Sequence, residues 1–416
     1  MELSRRVRSL PASTTLAVLG RARTMKAEGV DVLAFAAGEP DFVTPEPIRA
    51  AAIRALQAGL THYAPVPGDP DARAVIAEKL TTENHLPDVP PGNVVITTGG
   101  KHALYLVFQS LLDPALPDRE PPDVLLPTPA WVSYAPQIRL AGGRVVEIPT
   151  TAQAGFKITP EQLSQAITPN SRVFLFNSPS NPCGVTYTPA EVAALARTLA
   201  DAAETIAPNL VIVTDEIYEK LIYRGARHTS LGSFPAIAGR TITINGLSKG
   251  YAMTGWRVGY LAGCGELGAR VAAAATRLQS QTTTSLPAFI YPAIRVALTE
   301  CDGAVEEMRR AFEARGTVIY NRVAAMPGLV CPTPTGAFYV FPDISSHFGK
   351  ISAGGATIGS PLDFAEALLA EHHVACVPGE DFLGAGRRCV RFSFACPEEQ
   401  IHAGMDRVEA FLAGLR

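Results

Sequence analysis

The sequence predicts an α/β protein in which a large domain, built on a mainly parallel sheet flanked by helices, is joined to a smaller α+β domain. Between about residues 94 and 262, short β-branched runs alternate with helical patterns, the rhythm of a parallel sheet covered by helices. After Pro287 the rhythm gives way to long helices and then to three more strand candidates. The length of 416 residues, 47% of them hydrophobic, is enough for two or three structural units with ample core.

The predicted sheet strands are, in order, Val94–Thr97, Val124–Leu126, Arg144–Ile148, Val173–Phe176, Leu210–Thr214, Thr241–Asn245 and Val258–Ala262. Helices rich in Ala, Leu and Arg lie between several of them, such as Pro189–Ala203. In the second part, a long helix is expected over Ala304–Met326, with strands at Ala337–Phe341, Val374–Val377 and Val390–Phe394. The Gly- and Ser-rich segment Asp343–Pro361 reads as a mobile loop, and Asp113–Asp123 as an exposed connection.

Composition narrows the function. A formal charge of only -3, with no basic cluster interleaved with aromatics, predicts no nucleic acid or anionic membrane as partner and favours a small ligand. Seven scattered cysteines without a CxxC pair argue against a disulfide framework and a structural zinc site, so a reducing cytoplasm is expected. The uncharged run Leu278–Ile294 is filled with Gln, Ser and Thr, which excludes it as a membrane span.

The most informative stretch is Asn245–Tyr260, NGLSKGYAMTGWRVGY. It places Lys249 among small residues and Arg257 eight positions later. A lysine with a lowered pKa is a nucleophile toward an aldehyde, and small neighbours let a bulky one reach it. The turn Thr97-Thr98-Gly99-Gly100-Lys101 follows a strand and opens a helix, a place where backbone amides and the helix dipole favour a phosphate. Asp215 ends the apolar run Leu210–Thr214. There it can point into a ligand crevice and partner a pyridinium nitrogen, or merely cap a turn. In Asn177–Gly184, NSPSNPCG, two prolines fix an extended turn and the asparagines offer amide donors. Arg391 is the one cation in the run Val390–Phe394; buried, it needs an anion, either an internal carboxylate or that of a substrate.

Together these motifs resemble the class I aminotransferases, pyridoxal phosphate (PLP) enzymes of the aspartate aminotransferase fold. The resemblance runs from AGEPDF (37–42) through HYAPVPGDPDAR, TTGGKHAL, PAWVSY, NSPSNPCG, VTDEIYEKLIY and the lysine motif to SQTTTS, PTGAFYVFPD, VPGEDF and VRFSFA. Most similar is the bacterial aspartate and aspartate/prephenate subgroup. The resemblance implies a small domain made of residues 1–44 and 297–416 around a PLP-binding domain at 45–296.

It also implies roles. Lys249 would hold the cofactor as a Schiff base and carry the α proton; Asp215 would pair with the pyridine nitrogen. Asn181 and Tyr218 would hydrogen-bond the phenolic oxygen, Trp131 would stack on the ring, and Gly99, Gly100, Ser248 and Arg257 would hold the phosphate. Arg391, Asn181 and Gly38 would clamp the substrate α-carboxylate. Tyr63 would reach the phosphate of a neighbouring subunit in a homodimer. Lys101 is left between two anions, the phosphate and the distal carboxylate of an acidic substrate, over which Ser13, Thr14 and Thr15 would close. The expected activity is transamination between aspartate and 2-oxoglutarate, with prephenate, aromatic or neutral substrates as the alternative and a carbon-sulfur lyase behind it.

Three positions depart from the pattern: Gly246, where many relatives place a phosphate-binding serine; Cys183 in NPCG; and Ala72 in GDPDAR. A rival motif, the literal GxGxxG at Gly263–Gly268, would suit a dinucleotide-binding turn. It lacks the acidic residue about twenty positions on that such a fold uses for the ribose.

Overall fold

The computed structural model describes residues 2–8, 10, 14–114 and 120–416. The predicted connection Asp113–Asp123 and the segment Ser13–Thr15 therefore fall partly outside the described residues. Ser13 is among those left out, and Thr14 begins the helix Thr14–Ala27.

A short strand, β1 (Leu33–Ala34), precedes the main sheet. That sheet contains β2 (Val94–Thr98), β3 (Asp123–Thr128), β4 (Arg144–Pro149), β5 (Ser171–Asn177), β6 (Val211–Asp215), β7 (Thr241–Gly246) and β8 (Val258–Gly263), in the spatial order β2-β8-β7-β6-β5-β3-β4. All seven predicted strands are present, displaced by one or two residues at their ends. Five of them run parallel along β7-β6-β5-β3-β4, while β8 is antiparallel to both β2 and β7.

Alternation sends successive side chains to opposite faces, and both faces are covered. Val211 and Val213 pack toward the helices Gly100–Leu111 and Gly265–Ser280, whereas Ile212 packs toward Pro189–Thr205. The last of these helices starts where a side chain says it should: Thr188 and Glu191 form a reciprocal capping box ahead of Pro189.

The remaining strands lie beyond the long helix Asp302–Ala325: β9 (Tyr339–Val340), β10 (Val374–Ala375), β11 (Val377–Pro378) and β12 (Val390–Ser393). Two expectations change in this region. The run Val374–Val377 is two strands, because β10 pairs in parallel with β1 while β11 pairs antiparallel with β12; the chain changes partners at Cys376. The segment Asp343–Pro361 is tied down rather than loose. Ile351 exchanges two backbone hydrogen bonds with Arg416, Ile358 is fully buried, and the Ser352 hydroxyl donates to Glu371. Its polar composition reflects turns that are satisfied by the helix behind it.

Candidate active site

The carboxyl ends of the parallel strands supply the site. Asp215 ends β6, Asn177 ends β5, and Gly246 ends β7 just before Ser248 and Lys249. Because β8 is antiparallel, its first residue lies at this same edge, with Val258 opposite Thr98. That places Arg257 beside the start of the helix Gly100–Leu111. The same reversal puts the GxGxxG turn, which follows β8, at the opposite edge of the sheet.

These groups line a cavity of about 580 Å³. Of the residues singled out from the sequence, Gly38, Gly100, Lys101, Trp131, Asn181, Asp215, Tyr218, Ser248, Lys249, Arg257 and Arg391 face it. Gly99, just before Gly100, lies against Arg257 at a positive φ of 81°. A Cβ there would stand 2.5 Å from the guanidinium of Arg257, so the glycine is what allows cation, helix N-terminus and backbone amides to converge. Tyr63 is elsewhere: it is 93% exposed on the outer surface.

Lys249 donates from Nζ to the carbonyl of Gly38. Burial, followed by repulsion from Arg391, lowers its pKa to about 8 despite the opposing pull of Glu39 and Asp215. Near neutral pH a useful fraction of this amine is free. Asp215 moves the other way. Burial raises its pKa to about 6, while hydrogen bonds from the Tyr134 hydroxyl (2.7 Å) and the Ile217 amide (3.2 Å) hold it down. Among the described residues no cation lies within ion-pair distance of Asp215, and none of its neighbours neutralises it.

Arg391 is also buried and also lacks a carboxylate among the described residues, so the internal salt bridge left open by the sequence is absent there. Its guanidinium donates to Asn181 Oδ1 at 2.8 Å and to the Ala36 carbonyl at 3.4 Å, while its Nε finds no acceptor. The group stacks against the rings of Tyr339 and Phe382, with its centre 4.4 and 5.3 Å from theirs. A buried cation with an idle donor is prepared for an incoming carboxylate. The Asn181 main chain is itself held, since its backbone N–H donates to Asn177 Oδ1 at 3.1 Å. Tyr218 is buried, with its hydroxyl 2.9 Å from that of Tyr339.

Lys101 lies over the Trp131 ring at 5.0 Å, and burial with the nearby Arg257 lowers its pKa. At Gly246, where the resemblance would place a serine, the backbone is packed tightly. A Cβ there would approach the Val258 carbonyl to 2.6 Å. Sequence reasoning passed over Tyr134, Tyr339 and Phe382, although each belongs to a quoted motif: PAWVSY, GAFYVF and PGEDF.

The donor set suits pyridoxal phosphate: a lysine with a depressed pKa, a buried carboxylate for the ring nitrogen, and a glycine cradle with Arg257 that a single Cβ would fill. A sequence model of the family Aminotransferase class I and II matches residues 30–408. The chain is 42% identical over 413 residues to the aspartate aminotransferase of Geobacillus stearothermophilus, covering 99% of both chains. It is 42% identical over 404 residues to the aspartate/prephenate aminotransferase of Cereibacter sphaeroides, covering 97% and 96%. Among solved structures, the aspartate aminotransferase from Thermus thermophilus with maleate superimposes with a TM-score of 0.87 at 39% identity, over 99% of this chain and all of that one. With a PLP-shaped donor set at the carboxyl edge of the sheet and relatives matched over nearly its whole length, the chain belongs to the class I and II aminotransferases, enzymes that move amino groups with pyridoxal phosphate.

Proposed function

We propose that this enzyme transfers the α-amino group between L-aspartate and 2-oxoglutarate, the first product leaving before the second substrate enters. The observation that carries the reading is one cavity in which, beside Lys249 and the Arg257 of the glycine cradle, two further cations lack an acidic partner among the described residues. Arg391 is buried with an idle Nε, and Lys101 sits on the Trp131 face. A dicarboxylic amino acid brings two carboxylates. The relatives named aspartate aminotransferase, and the Thermus thermophilus neighbour solved with the dicarboxylate maleate, support it.

In this reading Arg391, Asn181 and Gly38 hold the α-carboxylate, and Lys101 takes the distal one. Gly99, Gly100, Ser248 and Arg257 hold the cofactor phosphate, and Trp131 covers the ring. When bound, pyridoxal phosphate supplies an electron sink for the pair released as the α-carbon loses its proton. Lys249 carries that proton, and its pKa of about 8 lets it accept and return it near neutral pH. Asp215, ionised above about pH 6, keeps the ring nitrogen protonated. Tyr218 and Asn181 donate toward the phenolic oxygen.

The reading extends to a cytoplasmic homodimer. Val43, Ile53, Leu56, Leu60 and Tyr63 are all exposed within one stretch, an apolar face suited to a second copy. Seven free cysteines suit a reducing compartment. Residues 1–44 and 297–416 then act as one small domain on 45–296, in keeping with the β1–β10 pairing. The Cereibacter sphaeroides relative favours a second reading in which prephenate is also an acceptor.

A panel of amino donors against 2-oxoglutarate, oxaloacetate and prephenate tests both. Aspartate and glutamate should give the highest kcat/KM. Lys101→Ser should weaken those two by roughly 2 to 5 kcal/mol, the range for an unpaired buried charge, and leave alanine nearly unchanged. Equal losses for acidic and neutral donors would move Lys101 to the phosphate and leave the specificity unexplained.

A further inference from the structure

We propose that Tyr134 is a positioning residue for the reaction: its hydroxyl fixes the Asp215 carboxylate in its ionised form, and so holds the charge that keeps the cofactor's ring nitrogen protonated. This rests on the reading of the cavity as a pyridoxal phosphate site. Tyr134 is buried at the start of the helix Tyr134–Leu140, with its ring edge-on to Trp131 at 5.3 Å. Its hydroxyl is 2.7 Å from Asp215 Oδ2. A phenol has one proton to donate, and a bond from it to Asp215 stabilises the carboxylate over the carboxylic acid.

The groups that act on Asp215 come from three places. On its own strand and the turn after it, Glu216 repels the negative charge, the Ile217 amide donates to Oδ1, and the Tyr218 phenol lies within electrostatic reach. From the loop after β7, Lys249 attracts the charge from a distance. From the helix after β3 comes Tyr134. Burial and Glu216 favour the neutral acid, and Tyr134, the Ile217 amide and Lys249 oppose them. The Ile217 amide is fixed by the backbone, and Lys249 changes charge as it moves the substrate proton. Tyr134 is therefore, among the described residues, the side-chain hydrogen-bond donor whose contribution stays constant through the reaction. The same Asp215 carries a second tether, its backbone carbonyl accepting from Asn177 Nδ2 at 2.9 Å. The Asn177 bond sets the main chain; the Tyr134 bond sets the carboxylate.

A purely structural tyrosine would matter through its ring, and Tyr134→Phe keeps the ring. The test is the dissociation constant for pyridoxal phosphate, measured by equilibrium dialysis from about pH 5 to pH 8 with the visible absorbance of the loaded enzyme recorded alongside. The loss of affinity on the acid side should move up by about one pH unit in Tyr134→Phe, the order expected when a charged acceptor loses a hydrogen bond. Site-specific 3,5-difluorotyrosine at position 134, a stronger donor of the same shape, should move it down; it also keeps the test decisive should Tyr134→Phe fold poorly. In an Asp215→Asn background the Tyr134→Phe change should move nothing. Superimposable profiles for wild type and either variant would overturn the inference alone. A wild-type protein that binds no pyridoxal phosphate would overturn the proposed function and this inference with it.

Discussion

Asp215 and Glu219 stand four positions apart in one short stretch, DEIYE; Asp215 is buried, and the Glu219 side chain is only 9% exposed. Their surroundings are opposite. Glu219 is ion-paired with Lys79, accepts from Asn84 Nδ2 at 2.7 Å, and lies 4.0 Å from His228. Although burial opposes it, this company pulls its pKa down to about 2. Between them Glu216 is equally satisfied, accepting from the Ser230 hydroxyl at 2.6 Å, Thr214 at 3.1 Å and Asn84 at 3.0 Å. Asp215 has only neutral donors close by and is pushed up to about 6. The difference separates structure from function. Where the fold completes a buried carboxylate's partnership, the group holds elements together; where it leaves the partnership open toward a cavity, the group awaits a ligand.

The largest effect that would test this contrast is on catalysis. Asp215→Ala should cost several powers of ten in kcat/KM, about 4 kcal/mol or more, while the cofactor-free protein melts no lower than wild type. A loss below about tenfold would make Asp215 a turn residue like many others. Glu219→Ala should do the reverse. It leaves the buried Lys79 with Asn84 and only the 3.9 Å contact to Glu83, so urea unfolding should show as much as about 3 kcal/mol less stability, with turnover per folded, cofactor-loaded molecule near wild type. Unchanged stability would dissolve the contrast.

Arg391 extends the comparison to cations, since Lys79 is paired and Arg391 is not. Arg391→Lys keeps the charge but loses the planar fork, and should weaken every amino donor by roughly 1.5 to 3 kcal/mol whatever its side chain. A loss confined to acidic donors would transfer Arg391 to the distal carboxylate.

The smallest effect is on stability against pH. Asp215 goes from an ordinary value of 3.8 to about 6 on folding, so between those limits the folded state binds the extra proton and stability falls as pH rises. Glu219 behaves oppositely: its contribution is present above its ordinary value of 4.5 and is lost as pH falls through about 2. In the cofactor-free protein, Asp215→Asn should therefore be more stable than wild type at pH 7 by on the order of 1 to 3 kcal/mol, with the gain vanishing near pH 4. A gain independent of pH would assign it to packing.

Much of the site could be read from the chain because open α/β sheets put ligand groups at strand ends, and strand ends are local. The apolar run before Asp215 and the small residues around Lys249 needed no tertiary information. The turn at Gly99 and Gly100 did not either. Tyr134 and Tyr339 were harder, since nothing in an isolated tyrosine says which carboxylate or phenol its hydroxyl will meet; their partners lie 81 and 121 positions away. The break at Cys376 was hidden for a similar reason. Hydropathy reports that Val374–Val377 is buried but not that its two halves pair with different strands.

By itself, then, the sequence determined the α/β architecture, the family and the set of chemical groups, because hydrophobic alternation and strand-end motifs are encoded within a few neighbouring residues. Only the tertiary structure decided which of those groups remain unpartnered. In DEIYE the alternation of the strand and the turn after it sends Asp215 and Tyr218 to the cavity and Glu216 and Glu219 into the polar cluster. The ion pair that satisfies Glu219 spans 140 positions, and the hydrogen bond that orients Arg391 spans 210. Whether a buried charge is finished or waiting depends on everything packed around it, and those contacts exist only once the chain has folded.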